Sequence, residues 1–305
     1  MKRLSFLAMF VAMVLSASAQ YYMHVWSDGA WVSWPVLNVD SVTFTDGPLE
    51  NVPNEPQEPA QGIGVFSVGE GRTITFAPGN LQYHPANKKW RFAEHQWDCV
   101  GEANSNISET YDGWIDLFGW STSVTDFGLS TNSNDYNIND YSGSFVDWGT
   151  NKIGNDASNT WRTLTYDEWN YLLNNRNNAS SLCGVAQVNG VNGLVFLPDN
   201  WICPAGVTFK SGFHSSWGVD YYAAYQTFTA DQWSKLESAG AVFLAAAGFG
   251  YIEKAVREVQ IDGRYWSASQ ERGESTYCLI FHSDEAYMGA THCSNGQSVR
   301  LVKDL

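Results

Sequence analysis

Side chains able to do chemistry crowd one stretch near the C-terminus. From Tyr265 to Val302 the chain reads YWSASQERGESTYCLIFHSDEAYMGATHCSNGQSVRLV. Within it lie Gln270, Glu271, Arg272, Glu274, Tyr277, His282, Asp284, Tyr287, His292 and Asn295, which follow no helical or strand period. Rings offer contact area at small entropic cost and amides adapt their hydrogen bonds, so these types in this mixture suit a ligand-binding face. Catalysis asks for tighter spacing than the sequence shows. Asp167 and Glu168 are neighbours on a predicted helix and cannot face each other. His84, His95, His214, His282 and His292 have neither metal-ligand nor triad spacing, and no serine nucleophile elbow occurs. No catalytic residue, no metal ligand and no cofactor is therefore expected. The Asn/Asp-rich run STNSNDYNINDYSG has oxygen ligands for a structural calcium but lacks a calcium-loop spacing, so turn-forming filler is the reading adopted.

The five cysteines are Cys99, Cys183, Cys203, Cys278 and Cys293. An odd count leaves at least one thiol unpaired. Cys278 with Cys293, and Cys183 with Cys203, each flank a predicted hairpin and are the candidate disulfides; a reduced, buried set is the alternative.

The elements that must position these groups sit in a chain of 305 residues with net charge −15, 44% hydrophobic and 15% aromatic, enough apolar material for a large core. The acidic balance argues against nucleic acid and anionic membrane surfaces as partners, since both need positive charge. Residues 1–19 read as a Sec-type signal peptide. Lys2 and Arg3 precede an apolar run from Leu4 to Leu15, and Ala17-Ser18-Ala19 is a small-residue cleavage site. Export to the periplasm, the cell surface or the medium is expected, with no membrane span, because the apolar run is too short. Residues 20–46 form a small β segment, in which HVW and WVSW flank Ser27-Asp28-Gly29-Ala30 and VDSVTF follows. Residues 47–62, with Pro48, Pro53, Pro56 and Pro59 among acids and amides, read as a linker. The main domain spans 63–305.

Within it, LTYDEWNYLLNNR opens on Thr165 with Glu168 three residues on, and FTADQWSKLESAG on Thr229 with Gln232; both are capping boxes that start helices. Between them CGVAQVNGVNGLVFLPDNW reads as strand, Asn-Gly turn, strand. AVFLAAAG follows as a buried strand. The aromatic-rich polar stretch from Glu102 to Asn159 reads as ordered loops held by rings such as Trp114, Trp120 and Trp148. This order predicts an α+β fold with helices packed on antiparallel sheet.

WRTLTYDEW, LPDNW, GAVFLAAAG, GRYWSAS and SVRLV occur in that order along the domain. Together they resemble the C-type-lectin-like fold in its formylglycine-generating-enzyme (sulfatase-modifying factor) branch, most of all the paralogous exported surface proteins of Bacteroidetes and Fibrobacter. Those are related to the variable proteins of diversity-generating retroelements. The resemblance implies a C-type-lectin-like domain with large ordered loops, preceded by the small β segment. It implies scaffold roles for Trp266, Ser267, Leu279, Phe281, Val299 and Arg300, and a ligand face between them. The function it implies is a non-catalytic ligand-binding or adhesion protein whose partner is a protein or glycan outside the cytoplasm. Two alternatives stand beside it. A copper oxidase of the formylglycine-generating type needs closely spaced reactive cysteines, whereas Cys278 and Cys293 are fifteen residues apart. A structural or fimbrial surface subunit would use the linker to present the domain. Calcium-site motifs of sugar-binding lectins do not occur, so the fold name does not license a sugar.

Overall fold

Asn189 and Gly190 take φ of 47° and 83°, the left-handed pair of a tight hairpin turn. They join strands that pair in register, Val188 opposite Val191 through to Cys183 opposite Phe196. Our computed structural model describes residues 22–27, 30–35, 64–108, 110–120, 145–251 and 255–305. The signal peptide, the DSVTF segment, the linker at 47–62 and the STNSNDYNINDYSG run lie outside the described residues. The chain divides into two units, Met1–Gln57 and Glu58–Leu305. In the first, β1 (Tyr22–Ser27) pairs antiparallel with β2 (Ala30–Pro35), Trp26 opposite Trp31.

The second unit builds several small sheets. β3 (Phe66–Gly69) and β4 (Arg72–Phe76) join the C-terminal β16 (Val302–Asp304) in one. β5 (Leu81–His84) pairs with β6 (Lys89–Phe92). The hairpin of β7 (Cys183–Val188) and β8 (Val191–Phe196) extends to β10 (Val242–Ala245) on one side and β9 (Thr227–Phe228) on the other. β11 (Phe249–Gly250) pairs with β12 (Val256–Arg257). β13 (Gly263–Arg272), β14 (Ser275–Phe281) and β15 (Ala286–His292) form the antiparallel sheet that carries the candidate site.

The predicted helices form where their caps are. Thr165 accepts from the Glu168 N–H while Glu168 accepts from the Thr165 N–H, starting α1 (Tyr166–Asn170). Thr229 and Gln232 do the same for α3 (Ala230–Ser238), and α2 (Asp220–Tyr225) lies between. α1 gives way after five residues to a π turn at Tyr171–Asn175, where the chain enters the asparagine-rich NNRNN run that competes with the helical backbone. The expected α+β class is thereby overturned. Strand holds 36% of the structure and helix 17%, in several small sheets, so the fold is mostly β and not the α+β, C-type-lectin-like domain anticipated. Two capping boxes announced helices, yet those helices proved only five and nine residues long and cap a core whose layers are strands.

Three apolar clusters fill the second unit. Phe66, Phe76, Trp169, Phe196, Leu279 and Phe281 belong to the first. Phe118, Trp120, Trp148, Trp266, Cys278 and Ile280 belong to the second, and Trp233, Leu236 and Phe243 to the third. Alternate residues of β14 thus bury into two different clusters, which explains why CLIF is a continuous apolar run rather than an alternating one. The long loop is tied to this sheet by ring N–H groups: Trp120 Nε1 donates to the Ser267 carbonyl at 2.8 Å, and Trp266 Nε1 to the Phe118 carbonyl at 2.6 Å.

Two charged side chains knit the elements together. Arg300, fully buried, donates to Gln96 Oε1 at 2.7 Å, the Phe243 carbonyl at 3.1 Å and Asn80 Oδ1 at 3.2 Å. Burial draws its pKa down to about 10. Glu168 accepts from Arg162 at 2.8 Å and Arg72 at 3.0 Å, and Arg162 reaches on to Asp304 of β16. Burial opposes its charge, but the bonds from Arg162 and Thr165 win and hold the carboxyl below its ordinary range.

Candidate functional site

The register of one sheet decides where the candidate side chains stand. Ser275 opposes His292 at one end and Phe281 opposes Ala286 at the other. At about 3.3 Å per residue the seven residues of β14 separate those ends by about 20 Å. Gln270, Glu271, Arg272, Glu274, His292 and Asn295 gather at the first end, the tip. His282, Asp284 and Tyr287 gather at the second, the base. Tyr277 lies between them and packs on Tyr166 at the start of α1, ring centroids 4.3 Å apart. The ten residues therefore do not make one face.

At the tip several polar groups satisfy one another, although Thr276 Oγ1 in β14 has no hydrogen-bond partner. Gln270 donates to the Gly273 carbonyl in the turn. His292 Nε2 lies 2.7 Å from Glu274 Oε2, and Nδ1 lies 2.6 Å from Ser294 Oγ. The Ser294 backbone N–H also donates to Nδ1, at 3.2 Å. An N–H can only donate, so Nδ1 is an acceptor and the ring proton sits on Nε2, given to Glu274. Sequence reasoning did not single out Ser294, and Glu274 is brought to His292 only by strand pairing. Chemically the series could pass the Ser294 proton to the imidazole, but the serine–histidine bond is also the one a turn two residues long makes for itself. Beside it opens a cavity of about 460 Å³ lined by Glu271, Arg272, Glu274, Ser275, Thr291 and His292.

Mid-sheet, the candidate disulfides are not formed: Cys99, Cys183, Cys203, Cys278 and Cys293 are all free thiols. The register gives the reason for one pair. Gly289 opposes Cys278, which leaves Cys293 four residues farther along, about 13 Å by strand rise and beyond the roughly 7 Å that a disulfide spans. Cys183 is buried at the start of β7, while Cys203 is exposed and points its thiol at the Val207 carbonyl. Burial pushes the Cys278 thiol up to about 12 and Cys293 up to about 11.

The base is built differently. Asp262, 2% exposed, accepts from Arg264 Nε at 2.8 Å through Oδ2. His282 Nε2 approaches its other oxygen at 3.7 Å, an ion-pair distance longer than a hydrogen bond. The turn at 282–285 holds a distant loop in place. Ser283, wholly buried, donates through Oγ to the Ser216 carbonyl at 2.9 Å and accepts from the Gly218 N–H at 3.0 Å, while its own carbonyl takes the His214 N–H at 2.8 Å. That docking delivers Trp217, whose ring centroid lies 6.0 Å from His282, and His214 stacked on Tyr221 at 4.5 Å. Tyr287 flanks His282 from β15 at 6.4 Å. Trp217 remains 54% exposed, Tyr287 39% and Tyr221 37%. Sequence reasoning missed Trp217, Tyr221 and Asp262. The short run HSSWGVDYY, aromatic and without a core period, was the one signal that could have marked the loop.

A second cavity, about 550 Å³, lies away from this sheet between Phe209, Lys210, Tyr225, Phe228 and Gln232. Among the described residues no group of three or more His, Cys, Asp or Glu side chains could hold a metal ion, and no helix is long and apolar enough to cross a membrane. No family model, curated protein or solved structure matches the chain.

Proposed function

We propose that this is an exported ligand-binding or adhesion protein, acting without catalysis, and that its binding end is the base of the β13–β15 sheet. The observation that carries the reading is the meeting of exposed Trp217 and Tyr287 at His282, with Trp217 on a loop held by a buried hydroxyl. Large amphipathic rings on a pinned backbone give contact area without an ordering cost, which is how binding surfaces concentrate their energy. The partner is a protein or a glycan outside the cytoplasm. The copper-oxidase alternative loses support from the cysteines: buried thiols with raised pKa values resist becoming the thiolates that chemistry needs.

The test is an array of proteins and glycans probed with the whole chain. Trp217→Ala and Tyr287→Ala should each lower the strongest signal roughly tenfold or more, as loss of a central aromatic anchor does. A double change at the tip, Glu271→Ala with Arg272→Ala, should leave it unchanged. Loss with the tip variant and retention with the base variants would move the site to the other end.

A further inference from the structure

The base of the sheet shows more than exposed rings. Three carboxylates, Asp262, Asp284 and Glu285, act on His282. The cation near them, Arg264, is committed: both Nε and Nη2 reach Asp262 Oδ2, at 2.8 and 2.7 Å, and the guanidinium lies 3.6 Å over the Phe249 ring. That leaves acceptors unfilled. Asp284 Oδ1 is a buried oxygen with no hydrogen-bond partner, and Asp262 Oδ1, also without a hydrogen bond, is met by His282 Nε2 at an ion-pair distance of 3.7 Å. Exposed Trp217 and Tyr287, whose ring faces carry a negative quadrupole, both lie near His282 among these carboxylates.

We infer that the base of the β13–β15 sheet binds a cationic group, a primary ammonium or a guanidinium, laid over Trp217 and Tyr287 and drawn in by Asp262, Asp284 and Glu285. The inference rests on the ligand-binding reading above and names the chemistry of the ligand. A cation answers all three features at once: it supplies N–H donors, it offsets the carboxylates, and it is attracted by ring faces, Trp most strongly. An anion would meet like charge. A purely apolar ligand would leave the buried oxygens as they are. Free polyamines and lysine or arginine side chains of a partner protein share this chemistry.

His282 makes the site pH-sensitive. It is faced by Asp262 and Arg264 of β13, Asp284 and Glu285 of the turn, Tyr287 of β15, and Trp217 with His214 of the docked loop; Tyr222 of α2 lies near the same two aspartates. The approach to Asp262 leads the other carboxylates in raising its pKa, against burial. A protonated His282 supplies the positive charge that the ligand would otherwise bring, so proton and ligand compete and binding weakens as pH falls.

The experiment is calorimetric titration of the whole chain with spermidine and, separately, with N-acetyl-lysine methylamide, which stands for a protein lysine. Saturable binding is expected near pH 8 and binding at least about tenfold weaker near pH 5, across the range in which histidine titrates. Trp217→Ala should abolish it and Glu285→Gln, at an exposed position, should weaken it, while Glu271→Gln at the tip controls for general attraction to an acidic protein. Equal binding by wild type, Trp217→Ala and Glu285→Gln overturns the inference. So does a Trp217-dependent signal for a neutral glycan with none for either amine, although the binding reading then survives. No signal from amines, glycans or proteins sinks that reading itself.

Discussion

The two ends of the β13–β15 sheet hold similar residue types and use them in opposite ways. At the tip, Glu274, His292, Ser294 and Gln270 bond to one another or to their own turn, so the Glu274 charge is answered within the hairpin. At the base, Ser283 bonds to Ser216, 67 positions away, and the groups around His282 include Asp284 Oδ1, a buried carboxylate oxygen with no hydrogen-bond partner. Local satisfaction leaves a surface with little appetite for a ligand. Remote docking can hold exposed rings and unfilled acceptors because the surrounding core fixes the backbone, and that is the condition for a recognition site.

The comparison can be broken most sharply through the core beneath it. Phe281→Ala, a fully buried ring under the base, should cost about 3–5 kcal/mol in chemical denaturation, whereas Arg272→Ala at the tip should leave the midpoint unchanged. Equal effects would mean that the base is no better anchored than the tip. Ser283→Ala comes next, at about 1–3 kcal/mol, because it strands the Gly218 N–H and the Ser216 carbonyl. Hydrogen exchange should then rise over 214–218 and not over 290–296. Thiol alkylation sharpens the middle of the sheet: in the folded protein exposed Cys203 should react first, and Cys278 and Cys293 should stay protected with or without reductant.

A pH series separates the ends further. The folded pKa of His282 is raised above the ordinary 6.5, so its contribution is fully present below that value and is lost as pH rises through the folded pKa. His282→Gln should therefore be less stable than wild type near pH 5 and converge with it as pH rises past about 8. Convergence in the opposite direction would contradict the contact with Asp262. Smallest of all, His292→Ala should cost less than about 1 kcal/mol, since its bond to Glu274 is part-exposed.

Much of the local structure was legible. Thr165 with Glu168, and Thr229 with Gln232, marked two helix starts, and Asn189-Gly190 marked the β7–β8 turn. Trp266, Leu279, Phe281, Val299 and Arg300 were assigned to the scaffold and are buried. Helix length and fold class were not legible. A capping box says where a helix begins and nothing about how far it runs, so two good starts were read as more helix than the described residues contain. The candidate surface was legible as a segment but not as a site. Tyr277 resembled its neighbours in type, and only its place beneath Tyr166 separates it from them.

By itself, then, the sequence determined the acidic balance, the turns, the caps and the apolar runs, each set by chemistry between residues a few positions apart. The tertiary structure alone decided that Cys278 and Cys293 stand off by four residues, that the candidate surface is two ends rather than one face, and that Trp217 meets His282. The physical reason is one of range. Capping and turn geometry are paid within a single stretch of chain, while register and loop docking are settled by burial between segments that are remote in sequence and have no local signal to announce their partner.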